Sequence, residues 1–95
     1  MIHIGATVQT EDLQKFIGVF STAGAQARRR HGSRSSRVFT VPGSDGQVRV
    51  LFEWESREAF GDFLADTEVR STMQSSGPIG RPDFLFLEAL ADLPG

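Results

Sequence analysis

One tryptophan and two histidines are the side chains of this sequence best suited to acid–base or binding chemistry. Trp54 follows an alternating run, where its indole N–H could hold a substrate oxygen on an aromatic wall; alternatively it is a core residue under the next helix. His3 could act as a general base toward a phenol, since a histidine pKa lies near neutral. Alternatively, His3 is a partly exposed strand residue or lies in an interface. His31 is expected to complement the dipole at a helix end.

Four apolar side chains could line a binding pocket beside Trp54. Phe63 and Met73 have the spacing of inner helix residues, so they either pack in the core or line a pocket. Phe52 and Phe20 are assigned to the same substrate-binding wall. The chain has no cysteine, no metal-ligand spacing and no glycine-rich dinucleotide motif, so we predict neither a metal nor a cofactor.

The charged residues favour a solvated surface. Arg28, Arg29 and Arg30 point about 100° apart on a helix and form no single patch. With a net charge of −2 and a pI of about 5.6, the chain is not expected to bind nucleic acid. Glu53 and Glu55 could be paired carboxylates for acid–base work, or could form ion pairs with partners such as Arg49 and Arg37.

Hydrophobic periodicity predicts the order strand, helix, strand, strand, helix, strand. Strands are predicted at Ile2–Val8, Arg34–Val41, Gln47–Glu55 and Phe84–Leu90. The first helix is predicted to be capped by Thr10 and to end at Gly32. The second is capped by Ser56, with a further helix start at Asp66 or Thr67. Residues Ser75–Pro82 are predicted to form a loop, of which Gly77–Gly80 could be a lid over the pocket.

This order predicts one domain over residues 1–95, with a ferredoxin-like α+β fold. Both helices would cover one face of a four-stranded antiparallel sheet. The other face would carry Leu51, Leu85 and Leu87, or the complementary set, and a homodimer is the expected way to cover it. No run of about 18 apolar residues indicates a membrane span, and no signal peptide is evident, so a cytoplasmic protein is expected.

The segment Val50–Phe60 carries a family resemblance. A strand ends on Glu-Trp, a Ser-capped helix begins at once, Phe63-Leu64 continues that helix, and Gly77–Pro82 leads into the last strand. This pattern resembles the antibiotic-biosynthesis-monooxygenase-like family of the dimeric α+β barrel superfamily. The resemblance implies a homodimer whose sheets form a barrel. It also implies a pocket in each subunit where a polyphenol or quinol reacts with oxygen without metal or flavin.

Departures from the family pattern leave the reaction open. Haem-degrading members resemble the second helix but have a Trp at the position of Phe63 and a haem-binding His at the position of Met73. The chain also has no Asn and no Tyr, which other members use. The resemblance implies a cofactor-independent monooxygenase, or a cyclase or isomerase, acting on an aromatic or polyketide-like molecule. The alternative is a non-catalytic dimeric module that binds a small hydrophobic molecule or has a structural role.

Overall fold

The computed structural model describes residues 1–95 and has the predicted order of strands, with two helices between the first and second strands and two between the third and fourth. The strands are β1 (Ile2–Gln9), β2 (Ser33–Thr40), β3 (Gln47–Trp54) and β4 (Asp83–Leu87). The helices are α1 (Leu13–Ser21), α2 (Ala23–His31), α3 (Arg57–Ala65) and α4 (Thr67–Ser75). None of these helices has the length and apolar character needed to cross a membrane.

The four strands form one antiparallel sheet in the order β2-β3-β1-β4. One row shows the register: Arg37 of β2 lies beside Leu51, Leu51 beside Gly5, and Gly5 beside Leu85 of β4. All helices pack on the same face, because that face carries the alternating apolar residues of β1 and β3. The ferredoxin-like α+β fold predicted from the sequence is confirmed.

The helix ends follow local capping rules, with one correction. Ser56 and Asp66 cap α3 and α4 through their side chains, and Gly32 ends α2 in the left-handed region with φ 107°, as predicted. The prediction that Thr10 caps the first helix is wrong, since the cap is Asp12. Thr10 is buried instead and donates its hydroxyl to the Gly77 carbonyl at 3.1 Å.

The first predicted helix is divided at Thr22, which separates α1 from α2. Thr22 has φ −115° and ψ −95°, outside the helical region. Its hydroxyl donates to the Gly18 carbonyl at 2.7 Å, and its N–H donates to the Val19 carbonyl at 3.3 Å. These bonds satisfy the end of α1 while the chain changes direction.

An aromatic cluster forms the core at the Trp54 end of the helix-covered face. Trp54 is fully buried, and its ring centroid lies 5.1 Å from that of Phe60 and 5.0 Å from that of Phe63. Phe84 of β4 meets Phe60 edge to face at 5.1 Å. Ring pairs at these distances add roughly 0.5–1.5 kcal/mol each beyond the apolar area that they bury.

The strand β4 is shorter and more exposed than predicted. It ends at Leu87 rather than Leu90, and Leu85 is 64% exposed within one chain. Burial on both faces, which the apolar run predicted, is therefore not found in the single chain. The reason is that β4 is an edge strand and its outward residues lie on the face that no helix covers.

The turn before β3 generates a stability prediction. Gly46 has φ 74°, and a Cβ there would lie 1.9 Å from the Thr10 carbonyl oxygen, whereas Gly43 has φ 84° and open space around it. We expect Gly43→Ala to cost about 1–2 kcal/mol for the left-handed backbone, and Gly46→Ala to cost clearly more, because the backbone clash adds to it. Urea unfolding of the two variants measures the loss in free energy of unfolding. Equal losses in Gly43→Ala and Gly46→Ala would contradict the prediction, because they would show that the backbone moves to relieve the clash.

Candidate functional site

A cavity of about 580 Å³ lies between the helix-covered face of the sheet and the helices. It exists because small residues face each other there: Ala6 and Val50 on the strands, and Gly24 and Ala27 on α2. These side chains cannot span the distance that the aromatic cluster sets between sheet and helices. The volume falls in the range of about 300–1,000 Å³ that is typical of small-molecule sites.

Aromatic rings form a continuous wall of this cavity. Phe16 and Phe20 of α1 stack at 5.4 Å, and Phe20 lies 6.1 Å from Phe52 of β3. Phe60 and Phe63 of α3 continue the wall, stacked at 6.1 Å. The structure thus brings the four residues assigned to substrate binding into the lining of one cavity: Phe20, Phe52, Phe63 and Met73. Their contact with a substrate stays a prediction.

A buried arginine is the residue that the sequence analysis missed. Arg28 is only 8% exposed, lines the cavity, and places its guanidinium carbon 3.7 Å from the ring centroid of Phe20. Burial and, secondarily, the charge of Arg29 lower the pKa of Arg28 to about 10. The expectation of a solvated helix end is therefore wrong for Arg28, although it holds for the exposed Arg29 and Arg30.

The signal for Arg28 was present in the helical spacing. Phe16, Phe20, Gly24 and Arg28 follow one another at intervals of four in the sequence, and within α2 Arg28 lies one turn after Gly24 on the side that faces the cavity. A run of three arginines at a helix end favours a solvated surface, and this pattern hides the inward direction of Arg28. The run does point in different directions, and one of those directions is inward.

Both residues assigned to catalysis lie outside the cavity lining. Trp54 stands behind Phe60 and Phe63, and its indole N–H is buried without a hydrogen-bond partner. His3 lies on the opposite, uncovered face of the sheet, with Nε2 3.2 Å from Glu53 Oε1. A ligand in the cavity is therefore beyond the reach of the His3 imidazole.

Glu53 near the end of β3 and Glu55 just beyond it pair individually. Glu53 pairs with His3 rather than with Arg49 or Arg37, and Glu55 accepts from Arg34 at 3.3 Å. Both pairs involve partly exposed side chains, for which the stabilisation is typically about 0–1 kcal/mol. No cluster of three His, Cys, Asp or Glu side chains that could hold a metal ion is present.

The other histidine connects two helix ends beside the cavity wall. His31 Nε2 lies 2.9 Å from Asp66 Oδ2, and the imidazole meets the Phe63 ring edge on at 5.8 Å. The hydrogen bond from His31, followed by that from the Glu68 N–H, lowers the pKa of the Asp66 carboxyl. The pair therefore ties the end of α2 to the start of α4 and supports Phe63 from behind.

The loop between α4 and β4 forms part of the cavity rim and is fastened to β1. Its Gly77 carbonyl accepts from Thr10, and its Ile79 N–H donates to the Gln9 carbonyl at 2.7 Å. Pro78, which lines the cavity, lies between these two points of attachment. A lid motion of the loop would have to break these bonds.

Comparisons with known proteins place this architecture among the monooxygenase-like structures. No protein-family model matches the chain, and no curated protein sequence matches it. SnoaB, a cofactor-independent oxygenase from Streptomyces nogalater, is 16% identical over 99% of this chain and 96% of its own, with a TM-score of 0.76. This chain shares the fold of the antibiotic biosynthesis monooxygenases. The resemblance carried by the Val50–Phe60 segment is confirmed at that level.

Two further solved structures support the same conclusion. A putative antibiotic biosynthesis monooxygenase from Caulobacter crescentus is 18% identical, with a TM-score of 0.76 over 95% of this chain and 90% of its own. Another from Deinococcus radiodurans is 16% identical, with a TM-score of 0.67 over 99% of this chain and 97% of its own. The TM-scores establish the shared fold. Because the sequence identities are below 20%, the reaction must be argued from the site itself.

Proposed function

We propose that this protein is a cofactor-independent monooxygenase that acts on an aromatic or polyketide-like small molecule. The observation that carries the proposal is the cavity of about 580 Å³ with its wall of phenylalanine rings. Flat fused rings fit such a wall because offset and edge-on ring contacts are favourable. The fold shared with SnoaB, described as a cofactor-independent oxygenase, supports the same reaction class.

The substrate would supply the electrons in this reaction. A CH₂ group between aromatic rings reacts with O₂ to give a ketone and water, so one oxygen atom enters the product and the other leaves as water. The protein would orient the ionised, electron-rich substrate in the cavity and keep bulk water away from it. Orientation and desolvation of this kind supply the rate without a bound electron carrier.

Oxygen uptake by the purified protein tests the proposal. We expect uptake with anthrones, naphthols or catechols, and roughly tenfold lower kcat/KM in Met73→Trp, because a larger side chain would fill the cavity. His3→Gln keeps a hydrogen bond to Glu53 and should change kcat/KM by less than about twofold, because the sheet separates His3 from the cavity.

Two results would contradict this assignment. Absence of uptake across the panel would remove the oxygenase reaction and favour the non-catalytic binding module. Loss of uptake in His3→Gln, with Met73→Trp unaffected, would move the site to the uncovered face of the sheet.

We further propose that the uncovered face of the sheet pairs with the same face of a second copy. Phe39, Leu51, Leu85 and Leu87 are exposed on this face, and Leu51 and Leu85 lie on either side of Gly5. A chain this short buries only about 60–65% of its unfolded surface, so an additional apolar interface would stabilise it. A twofold arrangement covers the same patch on both copies at once.

Light scattering after size exclusion tests the homodimer with a matched pair of variants. Leu51 on the uncovered face is 37% exposed and Leu13 on α1 is 38% exposed. We expect Leu51→Glu to give monomers at micromolar concentration, because it places a charge in the apolar interface, and Leu13→Glu to remain dimeric. A monomeric wild type, or dimerisation lost only in Leu13→Glu, would contradict this arrangement.

A further inference from the structure

Arg28 is a buried cation without a counter-ion. The four ion pairs of the protein involve other residues, and the Arg28 guanidinium makes no side-chain hydrogen bond. A guanidinium has five N–H donors, and those of Arg28 are withdrawn from bulk water but still reach the cavity, where no protein acceptor meets them. Such a group is retained most readily where a ligand completes its hydrogen bonds.

Two local features partly offset the burial of this charge. Arg28 lies in the last turn of α2, where the partial negative charge of the helix end favours cations. It also lies over the face of Phe20, where the ring quadrupole attracts a cation. Neither feature provides a hydrogen-bond acceptor in the plane of the guanidinium. The N–H groups that remain are available to the cavity that Arg28 lines.

The backbone of α2 makes room for this guanidinium. A Cβ at Gly24 would lie 3.1 Å from Arg28 Nη1, so the absence of a side chain there lets the arginine lie along the helix toward the cavity. Gly24 costs helix stability, roughly 1 kcal/mol relative to alanine. The arrangement therefore combines a poor helix former with a buried cation at one point of the cavity wall.

The cavity as a whole is cationic, although the protein carries a net charge of −2. Its lining includes Arg28, Arg70 and Arg81 and contains no aspartate, glutamate or histidine. Arg70 and Arg81 are exposed at the rim, whereas Arg28 is inside. A ligand that enters the cavity therefore passes Arg70 and Arg81 at the rim and then meets Arg28 at the aromatic wall. Such a field favours anions over neutral molecules of the same shape.

We propose that the cavity binds its aromatic ligand as an anion, with the anionic oxygen held by the guanidinium of Arg28. The oxygen belongs to a carboxylate or to an ionised phenol or enol on a fused ring system. For the phenol, the proton passes to water, because no lining side chain is a suitable base. The role of this anion in oxygenation rests on the proposed function, whereas its binding does not.

The test compares three naphthalene ligands by isothermal titration calorimetry: 2-naphthoate, 2-naphthol and the neutral 2-naphthalenemethanol. The proteins are wild type, Arg28→Met, Arg28→Lys and Arg29→Met. Arg29 is the matched control, because it is the next residue on the same helix and is exposed. Melting temperatures of all four check folding, and Arg28→Met is expected to fold because it removes an unpaired buried charge.

Wild type and Arg29→Met should bind naphthoate at least roughly tenfold more tightly than the neutral alcohol. The reason is that two hydrogen bonds between the Arg28 guanidinium and the carboxylate add to the burial of the rings. Arg28→Met should lose this preference and still bind the alcohol, and Arg28→Lys should keep part of it. The preference should stay level around neutral pH, because an Arg28 pKa of about 10 keeps the guanidinium charged there. Equal affinity of wild type for naphthoate and the alcohol would overturn the proposal.

The absorbance of bound 2-naphthol separates the phenol from the carboxylate. Since an adjacent cation favours the ionised form, the pKa of bound naphthol should fall by about one unit or more in wild type and Arg29→Met, but not in Arg28→Met. Naphthoate binding without this fall would restrict the site to carboxylates and overturn its use for phenols.

Oxygen uptake read beside these titrations distinguishes the two proposals. Charge-selective binding without uptake would contradict the oxygenase and leave the anion site standing. Oxygen uptake without charge-selective binding would contradict the anion site and leave the oxygenase standing.

Discussion

The packing of Trp54 against Phe60 and Phe63 is the contact on which the rest of the structure depends. It holds α3 on the sheet at ring-to-ring distances of 5.1 and 5.0 Å and fixes how far the helices stand from the strands. Beyond this cluster the facing residues become small, as at Ala6 and Gly24, and cannot fill the same distance. The cavity is therefore a consequence of an uneven distribution of side-chain volume over one face of the sheet.

The two faces of the sheet are suited to different tasks because side chains alternate along each strand. Val50 lines the cavity, whereas its neighbour Leu51 is exposed on the uncovered face. The same alternation separates Trp54 from Glu53 and thus from His3. Ligand binding and self-association are assigned to opposite sides of one layer, so a substitution on one face need not disturb the other.

Local patterns in the sequence predicted the elements, the fold and the apolar cavity wall. Helical spacing identified Phe63 and Met73. The caps Ser56 and Asp66 could also be predicted, because each side chain accepts from a backbone N–H in the first turn of the helix that follows it. Contacts between distant residues could not be predicted in this way. The hydroxyl of Thr10 meets a carbonyl 67 positions away, and His31 meets a carboxylate 35 positions away. The role of His3 as a base toward a substrate held beside Trp54 is not supported by the alternation along β1, because His3 precedes the buried Ile4 and therefore faces the uncovered side of the sheet.

Nuclear Overhauser effects between bound 2-naphthoate and methyl-labelled protein test most directly whether ligands enter the cavity. Val50 and Met73 line the cavity, whereas Leu51 and Leu87 lie on the uncovered face. The ring protons of the ligand should show effects to the methyl groups of Val50 and Met73 and none to those of the two leucines. Effects confined to Leu51 and Leu87 would contradict the account, because they would place the ligand on the face assigned to the second copy.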